Sequence, residues 1–451
     1  GAKDNMLDPK QFRTFATSSF DEIVASIYEK YQAKLLSNNA VDFDDLMIMV
    51  VTIFKTKPHV LEKFHNEFHY FLIDEFQDTN YVQYLLSKLL AQKSRNITVV
   101  GDFSQSIYSW RGADIKNLEK FQKDFPDVAV FSLEQNYRST QKILDYAYDV
   151  ISKNSTHPIL QLFTKNASGE DVDVLQLTNE EEEALHIAQQ VDKIFSKELS
   201  YDSCAVLYRT NVQSRTIEEA FLHHGIPYIL IGGTRFYERK EIKDLLSFVR
   251  LIVNPKDDVS QKRALKIGKK RYQQFSTALE EQEISSEAIT TEEAMNFILE
   301  KTGYVDLYDE NDPEDYGRLE NIKELKSVAV AFPSLNDFLQ QIALVESEYS
   351  NHEKENKSKG GVKLMTLHQA KGLEFDYVYI VGLEEGLLPH SRALYNKDEL
   401  EEERRLFYVG VTRARKKLTI THVKRRFMFG RGIMSQPSRF IEEREEGEEY
   451  F

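Results

Sequence analysis

The residues best suited to chemistry lie at the ends of two short apolar runs. In FLIDEFQDTN a strand-like stretch ends in two adjacent carboxylates, Asp74 and Glu75. Neighbours on an extended strand point to opposite sides. At a strand's C-terminal edge, one carboxylate can therefore hold Mg²⁺ while the other orients a water for attack on a phosphate. An Asp-Glu pair after a strand is more often ordinary solvated turn chemistry, so the surrounding motifs have to decide. The next apolar run, ITVVGD, leads into FSQSIYSWRGA. Gln105 is predicted at that strand tip, where a neutral amide can sense a terminal phosphate. Tyr108, the sole tryptophan Trp110 and Arg111 follow within four residues. Aromatic faces interleaved with a guanidinium suit sequence-tolerant binding of a single strand, in which each stacked base contributes about 1–3 kcal/mol. The competing reading of Trp110 is a core side chain, which Ser109, Arg111 and Gly112 make less comfortable.

These tips need elements to hold them. Apolar residues recur at helical spacing over residues 20–38 (Ile23, Ile27, Tyr28, Tyr31, Leu35), and a second helix is predicted over 42–54. The run FHYFLID, a helix over 81–90 and the run ITVVGD then alternate, as in a parallel α/β layer. Alternation returns over 172–251, with strands predicted at 173–177 and 203–208 and helices at 181–195 and 214–224. Between 255 and 361 the pattern is helical only, and SNHEKENKSKGG closes that stretch before VKLMTLH and YVYIVGL resume the strands. The second α/β layer is therefore predicted to be discontinuous.

The chain has 451 residues, which suggests about three domains. Its 41% hydrophobic and 29% charged residues are globular proportions, neither fibrous nor disordered. One cysteine, Cys204, permits no internal disulfide and points to a reducing compartment. No apolar stretch approaches the roughly 20 residues of a membrane span. The balance of 58 Lys+Arg against 73 Asp+Glu, net −15, by itself argues against nucleic acid. The excess is uneven, however: residues 256–361 hold 14 basic and 22 acidic residues, and more acid sits in ELEEERR and IEEREEGEEYF. ELEEERR is predicted to be an exposed helix face with i,i+4 pairs and no chemistry.

Taken together, DEFQDTN, GDFSQSIYSWRGA, LEQNYRST, VKLMTLHQAKGLEF and EEERRLFYVGVTRAR resemble, in order, the motif series of the UvrD/PcrA/Rep family of superfamily I DNA helicases. IPYILIGGTRFYERKEIKD resembles a further segment of that family. The resemblance implies an α/β fold of tandem RecA-like P-loop motor domains, the first truncated, with an all-helical insertion in the second. The expected division is 1–40 as a remnant of the first domain's helical insertion, 41–138 as the C-terminal part of the first motor domain, 139–255 and 362–441 as the second, 256–361 as its insertion and 442–451 as an acidic tail. It also implies ATP and Mg²⁺ as cofactors, with Asp74 holding the metal, Glu75 as general base and Gln105 coupling the nucleotide to DNA. Tyr137 would stack on adenine, Arg138 and Arg413 would act as arginine fingers on the γ-phosphate, and Glu374 would accept from the ribose on a loop shaped by Lys371 and Gly372. Tyr108, Trp110, Arg111, His368, Phe236 and Phe429 are the expected DNA contacts. A structural ion pair is the competing reading for each arginine, and a core position for His368, Phe236 and Phe429.

One departure matters most. The chain has no GxxxxGK[ST] loop to cradle phosphates; at its only Gly-Lys step, Gly268-Lys269, Lys270 follows and Arg263 stands where the first glycine belongs. The family carries that loop upstream, and GAKDNMLDPKQF resembles the middle of the first domain's own insertion. The expectation is thus a 3′–5′ helicase or translocase on single-stranded DNA, present as a fragment without the phosphate loop and inactive alone. Its expected partners are the missing N-terminal motor segment, single-stranded DNA or a single/double-strand junction, and repair or replication proteins, in the cytoplasm on the nucleoid and away from membranes. The alternative is a non-catalytic DNA- or protein-binding regulatory module that keeps the helicase fold. LKIGKKRYQQF, with Lys262, Arg263, Lys266, Lys269, Lys270 and Arg271, is read as a solvated basic helix end.

Overall fold

The computed structural model describes residues 2–356, 360–428 and 431–448. The chain divides into two compact units, Gly1–Leu133 with Asn154–Leu160, and Glu134–Lys153 with Gln161–Phe451.

Unit 1 begins with four helices, α1 (Pro9–Thr14), α2 (Ser19–Ser37), α3 (Phe43–Thr56) and α4 (Pro58–Glu67). Capping boxes start α2 at Ser18/Asp21 and α3 at Asp42/Asp45, satisfying amides that a helix start leaves unpaired. Buried Lys3 pairs with Asp42 at 2.6 Å and Asp45 at 2.7 Å, which ties the first residues to α3. Strand β1 (Phe71–Ile73) runs parallel to β2 (Ile97–Val99), with α5 (Tyr81–Ala91) between them and α6 (Asn117–Asp124) after them. The small core comprises Phe76, Tyr84, Ala91, Phe121 and Phe125, with Phe71, Ile73, Ile97 and Val99 packed against it. Leu72, in the middle of β1, is 81% exposed. Phe20, Ile23, Ile27 and Tyr31 on α2, and Phe43, Leu46, Val50 and Ile53 on α3, are also exposed at helical spacing.

Unit 2 opens with β3 (Gln135–Asn136), α7 (Gln141–Ile151) and β4 (Phe163–Thr164), β3 and β4 pairing in parallel. Its main sheet contains β5 (Asp173–Leu177), β6 (Cys204–Tyr208), β7 (Tyr228–Leu230), β8 (Val362–Thr366), β9 (Phe375–Ile380) and β10 (Ala414–Val423). These six lie in the order β5-β10-β9-β6-β8-β7, every pair parallel. Central β6 is buried throughout, as expected of a parallel sheet covered on both faces. Helices α8 (Glu180–Glu198) and α9 (Ser214–His223) contribute to its core. Between β7 and β8 the chain is helical: α10 (Lys240–Val253), α11 (Asp258–Ile267), α12 (Lys269–Glu281), α13 (Thr291–Thr302), α14 (Pro313–Ala331) and α15 (Leu335–Asn356). α10 shares one apolar cluster with the helices after it. After β9 come α16 (Lys397–Val411) and, beyond β10, the antiparallel pair β11 (Arg425–Met428) and β12 (Arg431–Met434), then α17 (Arg439–Glu448).

Three features differ from the sequence reading. The units part at 133/134 instead of 138/139, because β3 pairs with β4 and Ser139 donates to the Ala414 carbonyl at 2.6 Å, which puts Tyr137 and Arg138 in unit 2. ELEEERR is not an exposed face: Glu401, Glu403, Arg404 and Arg405 are all buried in α16. Arg209 reaches both Glu403 oxygens at 2.7–3.0 Å, and Arg404 pairs with Glu443 and lies over the Phe440 ring. Burial pushes the Glu403 carboxyl up, but Arg209 outweighs it and holds the group below its ordinary value. The expected acidic tail is helical through Glu448, with Arg439 donating to Glu385.

Candidate nucleotide and nucleic-acid site

In unit 1 the catalytic candidates stand just beyond the C-terminal ends of β1 and β2. The strand stops at Ile73, and Glu75 takes a left-handed backbone (φ +50°), unusual for a non-glycine residue and a feature that tends to occur at functional positions. The two carboxylates are therefore not presented from an extended strand as the sequence suggested. Instead the Glu75 amide donates to Asp74 Oδ1 at 2.9 Å, closing a tight turn. Buried Gln77 donates through Nε2 to Glu75 Oε2 at 2.5 Å, and its Oε1 accepts from the Asp102 amide at 3.1 Å. Asp102 Oδ2 accepts from Gln105 Nε2 at 2.9 Å. Glu75 and Gln105 thus sit at the two ends of one hydrogen-bonded chain through Gln77 and Asp102. Gly101 leaves room for it, since a Cβ there would stand 2.5 Å from Gln77 Oε1.

A short helical turn, Ser109–Arg111, follows Gln105 and is closed by Gly112 in a left-handed conformation. The Arg111 guanidinium lies 4.5 Å from the Trp110 ring centre and 5.4 Å from that of Tyr108, and the two rings meet edge to face at 6.4 Å. Trp110 is 56% exposed, so its core reading fails and the ring is open to stacking. Burial and nearby Asp78 push the Tyr108 phenol up, which keeps it protonated.

In unit 2, Tyr137 and Arg138 follow β3. The Asn136 side chain accepts from the Arg138 and Ser139 amides at 2.8 and 2.9 Å, and Asn166 donates to the Tyr137 and Ser139 carbonyls. This fixes the backbone and leaves the Tyr137 ring 78% exposed. Arg138 donates to Glu374 Oε2 at 2.6 Å and to the Thr412 carbonyl at 3.2 Å. Arg138, and secondarily Arg415, hold the Glu374 carboxyl below its ordinary value. Glu374 ends a loop in which Gly372 takes φ +83° and faces open space, while Lys371 bonds back to the His368 carbonyl. His368, just after β8, is half-buried. Arg413 is buried: it donates to the carbonyls of Val409 at 2.9 Å and Leu373 at 3.2 Å and to the Thr412 hydroxyl at 3.0 Å. It stands beside the Leu373–Glu374 loop but is not displayed on a surface.

Two of the expected DNA contacts fare differently. Phe236 has no exposed surface; it packs edge to face on Tyr237 and beneath Arg239, making it a core side chain in place of a base contact. Phe429 lies outside the described residues. The sequence reading also passed over Gln77, Asp102, Asn136, Asn166 and Arg415. All of these but Asn166 stand inside quoted motifs, but only the fold shows their partners.

Asp74 fits a site for Mg²⁺, which commonly takes one or two protein carboxylates and completes its shell with phosphate oxygens and water. Among the described residues no group of three or more potential metal ligands is assembled.

Carboxylates at parallel-strand tips and an aromatic–guanidinium cluster just downstream in unit 1, and exposed Tyr137 with half-buried Arg138 paired to Glu374 in unit 2, are residue types suited to phosphate and base chemistry. The model of the UvrD/REP helicase N-terminal domain matches residues 1–126, and that of the UvrD-like helicase C-terminal domain matches 131–285 and 267–425. The chain is similar to proteins named ATP-dependent DNA helicase PcrA: 38% identical over 496 residues to that of Leuconostoc citreum, 40% over 491 to that of Staphylococcus aureus (strain Mu50) and 39% over 491 to that of Bacillus subtilis (strain 168). Each alignment covers 98% of this chain and 66–67% of the relative, so the chain spans about two thirds of the length of the curated relatives it matches. It belongs to the UvrD-like helicase family.

Proposed function

We propose that this chain forms most of an ATP-driven motor that moves 3′ to 5′ along single-stranded DNA, and that it hydrolyses ATP only with a phosphate loop supplied from outside these 451 residues. The observation that carries the reading is the hydrogen-bonded chain from Glu75 to Gln105, three residues before the Tyr108–Trp110–Arg111 cluster. Glu75 takes the proton of the attacking water, Tyr137 stacks on the base, and Glu374 accepts from the ribose. Arg138 and Arg413 stabilise the charge that develops on the transferred phosphoryl group, and each must leave its present partners to do so. Asp74 would hold Mg²⁺, which supplies charge neutralisation on the phosphates. Gln105 links phosphate state to the stacking cluster that grips the strand.

A completing segment is supported by unit 1 itself. A two-stranded parallel sheet is too small to stand alone, and exposed Leu72 with the apolar stripes of α2 and α3 calls for cover. The same reading puts the motor in the cytoplasm on the nucleoid, with repair or replication proteins as partners. The test is ATPase activity with single-stranded DNA, measured on the chain alone and after adding a loop-bearing segment taken from a PcrA relative. Activity only in the mixture supports the proposal. DNA binding without activity in either supports the second reading, a non-catalytic module, which the missing loop favours.

A further inference from the structure

The pairing of β9 with β10 breaks register beside the segment that carries Tyr137 and Arg138. Ala414 pairs with Phe375 and Lys417 with Tyr377, so two residues of β10, Arg415 and Lys416, stand opposite the single residue Asp376. Such a bulge re-aims side chains that would otherwise point to opposite faces, and bulges are common beside active sites. Here both cations reach one carboxylate: Arg415 Nε stands 3.4 Å from Asp376 Oδ1 and Lys416 Nζ 2.7 Å from Oδ2. Of the two, Arg415 also approaches Glu374, at 3.7 Å from Oε1. The bulge is pinned to the neighbouring segment, since the Ser139 hydroxyl donates to the Ala414 carbonyl at 2.6 Å and the Thr140 amide to that of Arg415 at 3.2 Å.

We infer that Arg415 is a positioning residue: it takes over the Glu374 carboxylate when Arg138 leaves for phosphate, and so holds Glu374 in place for the ribose hydroxyls of ATP. The inference rests on Arg138 reaching the phosphate and Glu374 accepting from the ribose. In the structure Arg138 holds Glu374 Oε2 by a 2.6 Å hydrogen bond, while Arg415 stands off at ion-pair distance. Three guanidiniums keep the Glu374 carboxyl below its ordinary value, Arg138 first, then Arg415 and Arg413. Arg138 and Arg413 are the two that turn to phosphate, which leaves Arg415 as the one that stays. Asp376 is the reason it stays, because this carboxylate anchors Arg415 at the bulge and takes Lys416 on its other oxygen. A carboxylate stripped of its cation would be loose on its loop. Handed to Arg415, it keeps both its charge and its place, and a charged acceptor makes the stronger hydrogen bond to a hydroxyl.

In the chain completed by the loop-bearing segment, Arg415→Ala should raise KM for ATP about 10-fold and leave kcat within about 3-fold, the pattern of lost binding. With 2′,3′-dideoxyATP, which offers Glu374 no ribose hydroxyl, the same change should leave KM within about 2-fold of the unsubstituted chain. Arg415→Lys, which keeps the charge, should bring KM for ATP back to within about 3-fold. A KM loss of equal size on both nucleotides, or none on ATP, overturns the inference. A second measurement is independent of turnover. In a crystal structure of the 451-residue chain carrying Arg138→Ala, Arg415 should close from 3.7 Å to hydrogen-bond distance of Glu374, and an Arg415 that stays apart overturns the inference. If the completed wild type hydrolyses no ATP, the motor reading fails; if it uses ATP and the dideoxy analogue equally well, the ribose reading of Glu374 fails. In either case the Arg138→Ala structure still decides whether Arg415 takes over the carboxylate.

Discussion

In unit 2 the central strand β6 is buried along its length and has a neighbour on each edge, whereas in unit 1 the pair β1–β2 leaves Leu72 81% exposed. The means of holding polar groups differ in parallel. Unit 2 secures them with ion pairs sunk in its core: Arg426 lies between Glu183 and Glu384 at 3.0 and 2.6 Å. At the strand tips of unit 1, Glu75 is held by the neutral amide of Gln77, and Gln105 donates to the Asp102 carboxylate. The contrast shows that a site can be locally well ordered on a sheet of only two strands. Strand-tip geometry depends on a few hydrogen bonds over some thirty residues, while sheet stability depends on covering both faces.

The contrast can be broken or sharpened in four ways. Arg426→Ala leaves two buried carboxylates without their cation, and breaking such a buried pair typically costs about 3–5 kcal/mol. Urea denaturation should show the unit 2 transition displaced by that amount and the unit 1 transition unmoved; a joint shift would mean that the units do not differ in this way. Next, Val206→Ser in buried β6 should cost about 3 kcal/mol, from the lost transfer energy and a buried hydroxyl, whereas Leu72→Ser in exposed β1 should cost less than about 0.5 kcal/mol. The same Leu72 change should weaken association with the loop-bearing segment, measurable by titration of one polypeptide into the other.

Trp110→Ala should leave stability alone and weaken single-strand binding by about 1–3 kcal/mol, roughly 5- to 150-fold, measured by fluorescence anisotropy of a labelled oligonucleotide. Unchanged affinity would remove Trp110 from the strand site. The smallest effect concerns pH. Burial pushes Glu180 up to about 7 despite nearby Arg426, and pushes Glu218 up to about 7 despite its bonds to Ser214, Tyr228 and Tyr349. Carboxyls raised above an unfolded value of about 4.3 contribute stability that is complete below that pH and is lost as pH climbs through 7. Buried His390, lowered to about 4 chiefly by burial, works the other way, losing stability as pH falls from about 6.5 toward 4. Glu180→Gln or Glu218→Gln should therefore flatten the decline of unit 2 stability between about pH 5 and 7 by on the order of 1 kcal/mol, read from urea midpoints across that range.

Much of the fold was legible because periodicity is local. The predicted strand at 173–177 matches β5, and the helices predicted at 20–38, 81–90 and 214–224 match α2, α5 and α9 within about two residues. The discontinuity of the second sheet was also readable, since the strand pattern resumes after a helical stretch. ELEEERR misled because its composition is that of a solvated helix: charge alone does not reveal that Arg209, some two hundred residues earlier, supplies Glu403's partner.

The sequence by itself determined the family, through ordered motifs whose residue types suit phosphate and base chemistry, and it determined the absence of a phosphate loop from these 451 residues. Only the tertiary structure decided that Trp110 is open while Phe236 is core, that Arg138 rests on Glu374 and Arg413 on backbone carbonyls, and that Gln77 joins Glu75 to Asp102. The physical reason is reach. A motif constrains neighbours along the chain, but burial and hydrogen-bond partners come from residues brought alongside by folding, and nothing in the local pattern names them.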